Sequence, residues 1–330
     1  MLTRRELLKW SPPAAPLERD FVHLSRLAMA CRFEVTLPMS DRTGLAIARR
    51  ALAEVDLHEQ QLTIFNETSE LSHINRNAAL HPVPAQPSLF ALLLLCQELA
   101  RETQGAFDIT SAPLSDCWGF LKRDGRLPQA AEIDAARELV GADLVLLDRA
   151  SQTVRFRRAG VRLNLGSIGK GHALDRIAAS IQPAVRAALL SAGSSSMRAI
   201  GTGNHRNGWT VGVRHPSRPC KRLAVLKIRD CAMATSGNQE QFFEHDGIRY
   251  GHIIDPRSGQ PATQVLSATV IAPSAAVADA LATAFFVGGP YLAQRYCLAH
   301  PGVLAIILPD GASRPVVIGG NPQCEVEVTR

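Results

Sequence analysis

An α+β fold, with mixed and largely antiparallel sheets flanked by helices, is the class this sequence predicts. Three observations carry it. Strand-like and helical segments follow one another without the regular strand–helix–strand order of a doubly wound sheet. Paired alternating runs around tight turns, such as 241–245 and 249–254 about Asp246-Gly247, signal hairpins. The composition, 46% hydrophobic and 20% charged over 330 residues, is ample for a large core. No repeat or low-complexity tract divides the chain. One compact domain is expected over 26–325, after an N-terminal extension over 1–25.

The extension contains Thr3-Arg4-Arg5-Glu6-Leu7-Leu8-Lys9, which looks like a twin-arginine export motif. An export signal needs about 7–15 apolar residues next. Here prolines follow, then Glu18-Arg19-Asp20, so a cytoplasmic chain is expected, with export by a twin-arginine-like route as the alternative. Residues 29–37 end as an alternating strand. Residues 44–62 have a helical period, with Ala48, Leu52, Val55 and Leu62 on the apolar side. Ser69 is a fair N-cap for the next helical turn. Residues 87–103 form a strongly apolar helix, and 125–135 a polar surface loop before a helix to Val140.

Strands follow at 143–148, 153–158 and 161–165. The last runs into Gly166-Ser167-Ile168-Gly169-Lys170-Gly171 and a helix to Ile181. A glycine-rich strand-to-helix turn suits a phosphate, because bare N–H groups and the helix dipole face the anion. It has neither Walker nor G-x-G-x-x-G spacing, so alone it is a weak signal. Further strands are expected at 187–192, 209–214, 222–228, 266–272 and 303–308, with helices at 275–288 and 291–300. The C-terminus trails off in polar residues.

Composition also narrows the function. Aromatics make up only 5%, little material for stacking bases, and no run of five basic residues occurs, so no nucleic-acid partner is expected. The net charge of +6 suits a polyanionic ligand, or equally a solvated basic surface. No run reaches the roughly 18 apolar residues of a membrane span, so no stable membrane insertion is expected. The seven cysteines lack C-x-x-C spacing and are expected as buried free thiols.

The chemistry concentrates between Met233 and Pro261. His252 ends a strand just before the stiff turn Asp255-Pro256. From the residues alone, His252 and Asp255 could simply cap turns, and Gly105-Ala106-Phe107-Asp108-Ile109-Thr110 could be a loop that buries Phe107. Asp279 and Thr283 stand four apart on one helix face. That face could offer oxygen ligands to a hard cation or be the solvent side.

From Ser236, the pattern S-G-N-x-x-x-F-F-x-x-D-G-x-x-Y-x-H-I-I-D-P-R-S-G-x-P resembles the signature of the FAD:protein FMN transferases, the ApbE family. The Gly105–Thr110, Asn164–Gly171 and Ala278–Thr283 segments match in the family's order. The resemblance runs from about Met29 to about Leu308. It implies transfer of FMN from FAD to a Ser or Thr hydroxyl of an acceptor protein, releasing AMP. Two rivals use the same residues: a Mg2+-dependent FAD pyrophosphatase giving FMN and AMP, and a non-catalytic FAD-binding protein.

The same resemblance implies the site. Met29 approaches the flavin; Phe65 falls where the family usually has tyrosine. Ala106, Phe107 and Asp108 lie against the adenosine part of FAD. Asn164, where the family usually has aspartate, contacts the nucleotide with Lys170, His252 and Ile253. Mg2+ is held by Ser167, Asp279 and Thr283. Lys170 stabilises developing charge, and His252 is the candidate general base, histidine ordinarily titrating near neutrality. Ser196 stands where the family tends to have the acid of G-G-D.

Overall fold

A computed structural model describes residues 21–203, 207–218, 220–238 and 241–329. The twin-arginine-like segment lies outside them. The architecture is the expected α+β class. Its centre is an eight-stranded sheet whose strands lie side by side in chain order: Phe21–Ala28, Cys31–Pro38, Ala188–Ala192, Ser196–Ile200, Ala232–Ser236, Val265–Ala272, Leu304–Pro309 and Val316–Gly319. Every neighbouring pair is antiparallel.

Both faces of this sheet are covered, and the two-residue period of a strand sorts side chains between them. Ala232, Ala234, Val270, Ala272, Ala305 and Ile307 join the core beneath the helices Arg42–Ala53, Gly169–Ile181 and Ala275–Ala299. Met233, Ile271, Leu304, Ile306 and Leu308, one residue out of phase, pack against a three-stranded sheet of Trp209–Arg214, Arg222–Ile228 and Cys324–Val328. Long connections between the central strands carry the rest. One holds the helix Pro87–Glu102 and the small sheet of Val83–Pro84, Val145–Asp148 and Thr153–Phe156. Another holds the hairpin Phe242–His245 and Ile248–Gly251, whose turn places Asp246 (φ 50°) and Gly247 (φ 74°) in the left-handed region.

The helices Gly169–Ile181 and Ala275–Ala299 meet closely. A Cβ on Gly171 would overlap the carbonyl of Ala275, so only glycine fits there. One turn along the same face, Asp175 accepts from Ser274 Oγ (2.8 Å), Ala275 N (2.9 Å) and Ala276 N (2.9 Å). Those backbone groups have no partner within their own helix, and a carboxylate there also answers the helix dipole. The Ala275–Ala299 helix is long and apolar enough by composition to cross a membrane, contrary to the sequence expectation. Its most apolar window is 72% buried, as the sheet and the neighbouring helix cover it. The expected break between its halves is a kink at Gly289 (φ 69°) and Pro290.

Several expectations change. The 29–37 strand is the second arm of a hairpin turning at Met29 (φ 51°) and Ala30 (φ 57°); its first arm is largely exposed and lacks an apolar alternation. The 44–62 helix breaks at Glu54. Residues 161–165 form no strand. Their backbone pairs instead with the Asn75 side chain (2.8 and 3.0 Å) and the Ile109 carbonyl (2.7 Å). A helix, Ala130–Arg137, starts inside the expected 125–135 loop, its entry held by Gln129 N donating to Glu132 Oε2 (2.7 Å). The C-terminal region supplies two strands, because partners wait at Leu304–Pro309 and Arg222–Ile228. Cys96, Cys231 and Cys297 are buried free thiols, as expected, but Cys220 is exposed.

His172 packs edge-on against His58 across two helices, ring centroids 6.1 Å apart. Burial pushes its imidazole down to about 4, with His58 and Arg176 adding to the effect. The folded chain thus resists protonation that the unfolded chain accepts near 6.5. Stability is full above 6.5 and falls as pH drops from 6.5 toward 4. Thermal unfolding across that window is expected to show this loss, and His172→Asn to remove part of it. Gly171→Ala is expected to destabilise by about 1–3 kcal/mol or more through overpacking, read as a lower denaturation midpoint with unchanged slope.

Candidate functional site

The segments singled out in the sequence are distant in the chain but line one cavity of about 1170 Å3. Phe65, Ala106, Phe107 and Asp108 line it, as do Asn164, Ser167 and Lys170. His252, Ile253, Asp279 and Thr283 complete the set. Met29 does not reach the wall. Its neighbour Ala30 does, while a Cβ on Gly169 would stand 3.2 Å from Met29 Cε. The left-handed turn at Met29-Ala30 directs the thioether toward the Gly169–Ile181 helix. Such conformations cost about 1–3 kcal/mol per non-glycine residue and persist only where the surroundings impose them.

One corner gathers oxygen donors. Asp279 is buried, so the solvent-side alternative is excluded for it. Its Oδ2 accepts from Gly171 N (3.1 Å) and its Oδ1 from Ser196 Oγ (3.2 Å). Burial pushes the Asp279 carboxyl above the usual range; the Lys170 ammonium and these two hydrogen bonds pull it back. Thr283 Oγ1 lies 3.4 Å from the Asp279 carbonyl and 3.2 Å from Ser236 Oγ. Ser167 lines the same cavity. This donor set, one carboxylate with hydroxyl and carbonyl oxygens, fits a hard cation that completes its shell with water or phosphate oxygens. Among the described residues no group of three or more His, Cys, Asp or Glu could hold a metal, so a zinc-type centre does not fit.

The turn before the Gly169–Ile181 helix differs from expectation. Four of its six N–H groups are already committed. Gly166 N donates to Asn164 Oδ1 (2.9 Å), Ile168 N and Gly169 N to the Leu165 carbonyl (3.1 and 2.7 Å), and Gly171 N to Asp279. The turn tightens on itself and on the neighbouring helix, so these groups are not offered to an anion. Instead it presents Lys170 Nζ, which donates to Ser195 Oγ (2.8 Å).

Opposite, Asp108 is buried and its Oδ1 accepts from Thr110 N (2.8 Å) and Thr110 Oγ1 (2.6 Å). Burial pushes this carboxyl up, and the Thr110 bonds partly offset the rise. One oxygen is therefore committed to its own loop. Asn164 N donates to the Ile109 carbonyl (2.7 Å), joining this loop to the Gly166–Gly171 turn. Phe65 is 78% exposed, at the rim.

The hairpin closes the cavity. Phe243 stacks on Tyr250 (5.1 Å, 15°), Tyr250 on Trp118 (5.7 Å, 30°), and Trp118 Nε1 donates to the Gly259 carbonyl (2.8 Å). His252 sits one residue past the strand's end at Gly251, not within it. Its backbone N still donates to the Gln241 carbonyl (3.1 Å), and its Nδ1 lies 3.0 Å from the same oxygen. A carbonyl only accepts, so Nδ1 carries the proton and Nε2 is the basic nitrogen.

Charge favours an anionic ligand: among the described residues, Lys122, Arg123, Lys170 and Arg214 line the cavity against two acids, Asp108 and Asp279, both buried. Sequence reasoning missed Ser195, Ser236 and Gln241 on the wall, and Asp175 behind it. Asp175 did carry a signal, four residues after Gly171 and on its helix face.

Comparison with known proteins agrees with this arrangement. The ApbE family profile matches residues 29–308. A FAD:protein FMN transferase of Treponema pallidum is 35% identical over 269 residues, covering 76% of this chain and 74% of its own length. One from Klebsiella pneumoniae is 32% identical over 244 residues, 73% and 75% of the two chains. Among solved structures, an ApbE protein of Thermotoga maritima superimposes with TM-score 0.81 at 29% identity, covering 91% of this chain and 97% of its own. The apo flavinyl transferase ApbE of Pseudomonas stutzeri does so with TM-score 0.77 at 26% identity, over 90% and 94%. Matched along most of its length in sequence and in fold, the chain belongs to the ApbE family.

Proposed function

We propose that this chain transfers FMN from FAD to a serine or threonine hydroxyl of an acceptor protein and releases AMP, with Mg2+ at the pyrophosphate. One observation carries the reading. A single electropositive cavity brings together the buried Asp279 with Thr283, the Lys170 ammonium, and His252 with its basic nitrogen defined. The names of the relatives, FAD:protein FMN transferases, support it.

FAD is the substrate, and attack falls on its FMN-side phosphorus. Such transfer needs an in-line nucleophile, neutralisation of phosphate charge and a base. Ser167, Asp279 and Thr283 would hold Mg2+, which when bound supplies charge neutralisation at the pyrophosphate. Lys170 balances charge on the phosphoryl oxygens. His252 Nε2 takes the proton of the attacking hydroxyl. Ala106, Phe107 and the Asp108 loop hold the adenosine part, with Asn164 and Ile253 toward the flavin nucleotide. Ser196, in place of the family's usual acid, still donates a hydrogen bond to Asp279 and keeps its carboxylate aimed.

The reading is tested by incubating the chain with FAD, Mg2+ and a threonine-bearing acceptor protein. Flavin fluorescence on the acceptor in a denaturing gel, with AMP released, is expected. Free FMN and AMP without labelled acceptor would mean hydrolysis instead, and intact FAD would reject both.

Two variants follow. Asp279→Asn keeps an oxygen acceptor for the buried Gly171 N–H and removes the charge, so it should fold and lose Mg2+-dependent turnover. Asp279→Ala would also strand two buried donors, at about 1–3 kcal/mol each. Wild-type turnover of folded Asp279→Asn in Mg2+ would remove the residue from the metal site. His252→Asn should cost about 10²–10⁴-fold in transfer rate, with melting temperature and FAD affinity little changed. A drop in melting temperature with activity falling only in proportion would assign the imidazole a structural role.

A further inference from the structure

We infer that Ser195 is itself an acceptor, a site on this chain that receives FMN from FAD bound in the same cavity. The inference rests on the transferase reading above. Ser195 lies in the tight connection between the central strands Ala188–Ala192 and Ser196–Ile200, just after Gly193 (φ 60°). It lines the cavity together with Lys170. Three contacts hold it there. Its carbonyl accepts from Thr235 N (2.8 Å), its Oγ accepts from Lys170 Nζ (2.8 Å), and the next residue, Ser196, is anchored to Asp279 (3.2 Å). The hydroxyl therefore stands in the corner where the pyrophosphate is neutralised, on a backbone that cannot drift away.

The chemistry matches that of an external acceptor. Lys170 donates to the serine oxygen, so the hydroxyl's own proton points elsewhere and one lone pair remains for attack. Serine is a weak nucleophile until charge near it is arranged and it is held close to its target; effective concentration in a fixed site makes up much of that deficit. The Ser195 Oγ–phosphorus bond forms on the FMN-side phosphate, and the bond from that phosphorus to the AMP oxygen breaks. AMP leaves with the shared electron pair, and the hydroxyl proton ends on its phosphate. The product is the chain carrying one FMN in phosphodiester linkage, with one AMP released per FMN. Each chain carries one Ser195, so labelling stops at one flavin per chain, in competition with transfer to an external acceptor.

The test uses the full chain with FAD and Mg2+ and no acceptor protein. AMP is quantified, flavin fluorescence is read on the denatured chain, and the modified peptide is mapped by tandem mass spectrometry. One flavin per chain on Ser195, with equal AMP, is expected; mapping on the unaltered chain does not depend on any variant folding. Ser195→Ala should lose the label and Ser195→Thr, which keeps a hydroxyl, should retain it. AMP release with no covalent flavin, or with flavin on another residue, would overturn the inference and leave transfer or hydrolysis of FAD standing. Intact FAD here would overturn the inference alone, because transfer to an external hydroxyl needs its acceptor; intact FAD with an acceptor protein present as well would overturn both.

Discussion

Asp279 accepts the backbone N–H of Gly171 across the contact of two helices, and most of the site's geometry descends from that contact. The approach is close enough to exclude any side chain at position 171. It places the helix whose first turn carries Lys170 directly against the helix that carries Asp279 and Thr283. Asp175 locks the crossing from the other side by holding the first backbone N–H groups of the Ala275–Ala299 helix. Gly171, which is no part of the cavity wall, thus sets the distance between Lys170 and Asp279, which are. Tight interiors transmit such constraints because they leave no slack for a side chain to compensate.

The central sheet explains why the cavity opens where it does. Its strands lie in chain order, yet long insertions leave it between them, and segments of those insertions line one cavity. The loop Gly105–Thr110 and the turn Gly166–Gly171 come from one insertion, between Cys31–Pro38 and Ala188–Ala192, and the hairpin after Ser236 from another. None has a core of its own. The hairpin relies on Phe243, Tyr250 and Trp118 stacked in sequence, and that stack fixes the backbone from which His252 projects. Aromatic packing near the open end of the hairpin therefore helps aim the imidazole two residues beyond Tyr250.

Electrostatics adds a second layer. The two acids of the cavity are buried, and desolvation raises both carboxyls, while the cations around them remain. A cavity with this balance attracts a polyanion and supplies little repulsion to it. Backbone N–H groups contribute less than a glycine-rich turn suggests, since Gly166, Ile168, Gly169 and Gly171 all donate within the protein. Lys170 is the cation that this turn presents to the cavity.

Much of this was legible in the residues. Period-two and helical patterns are local, so the fold class, the Asp246-Gly247 turn, the Ser69 cap and the break at Gly289-Pro290 could be read from neighbours along the chain. Motif residues were recognisable because chemistry restricts them, and of the site residues named from them all but Met29 line the cavity. What escaped depends on partners distant in sequence. Residues 161–165 look like a strand, yet Asn75 and Ile109 take their hydrogen bonds. The C-terminal segments look like a polar tail, yet two sheets offer them edges. The turn at Met29-Ala30 adopts a backbone that neither residue prefers, and only its packing imposes it. Local pattern determined which elements form and which residues are chemically able. Tertiary structure alone decided their distances and partners, because a hydrogen bond or a helix crossing between residues a hundred apart has no signature at either one.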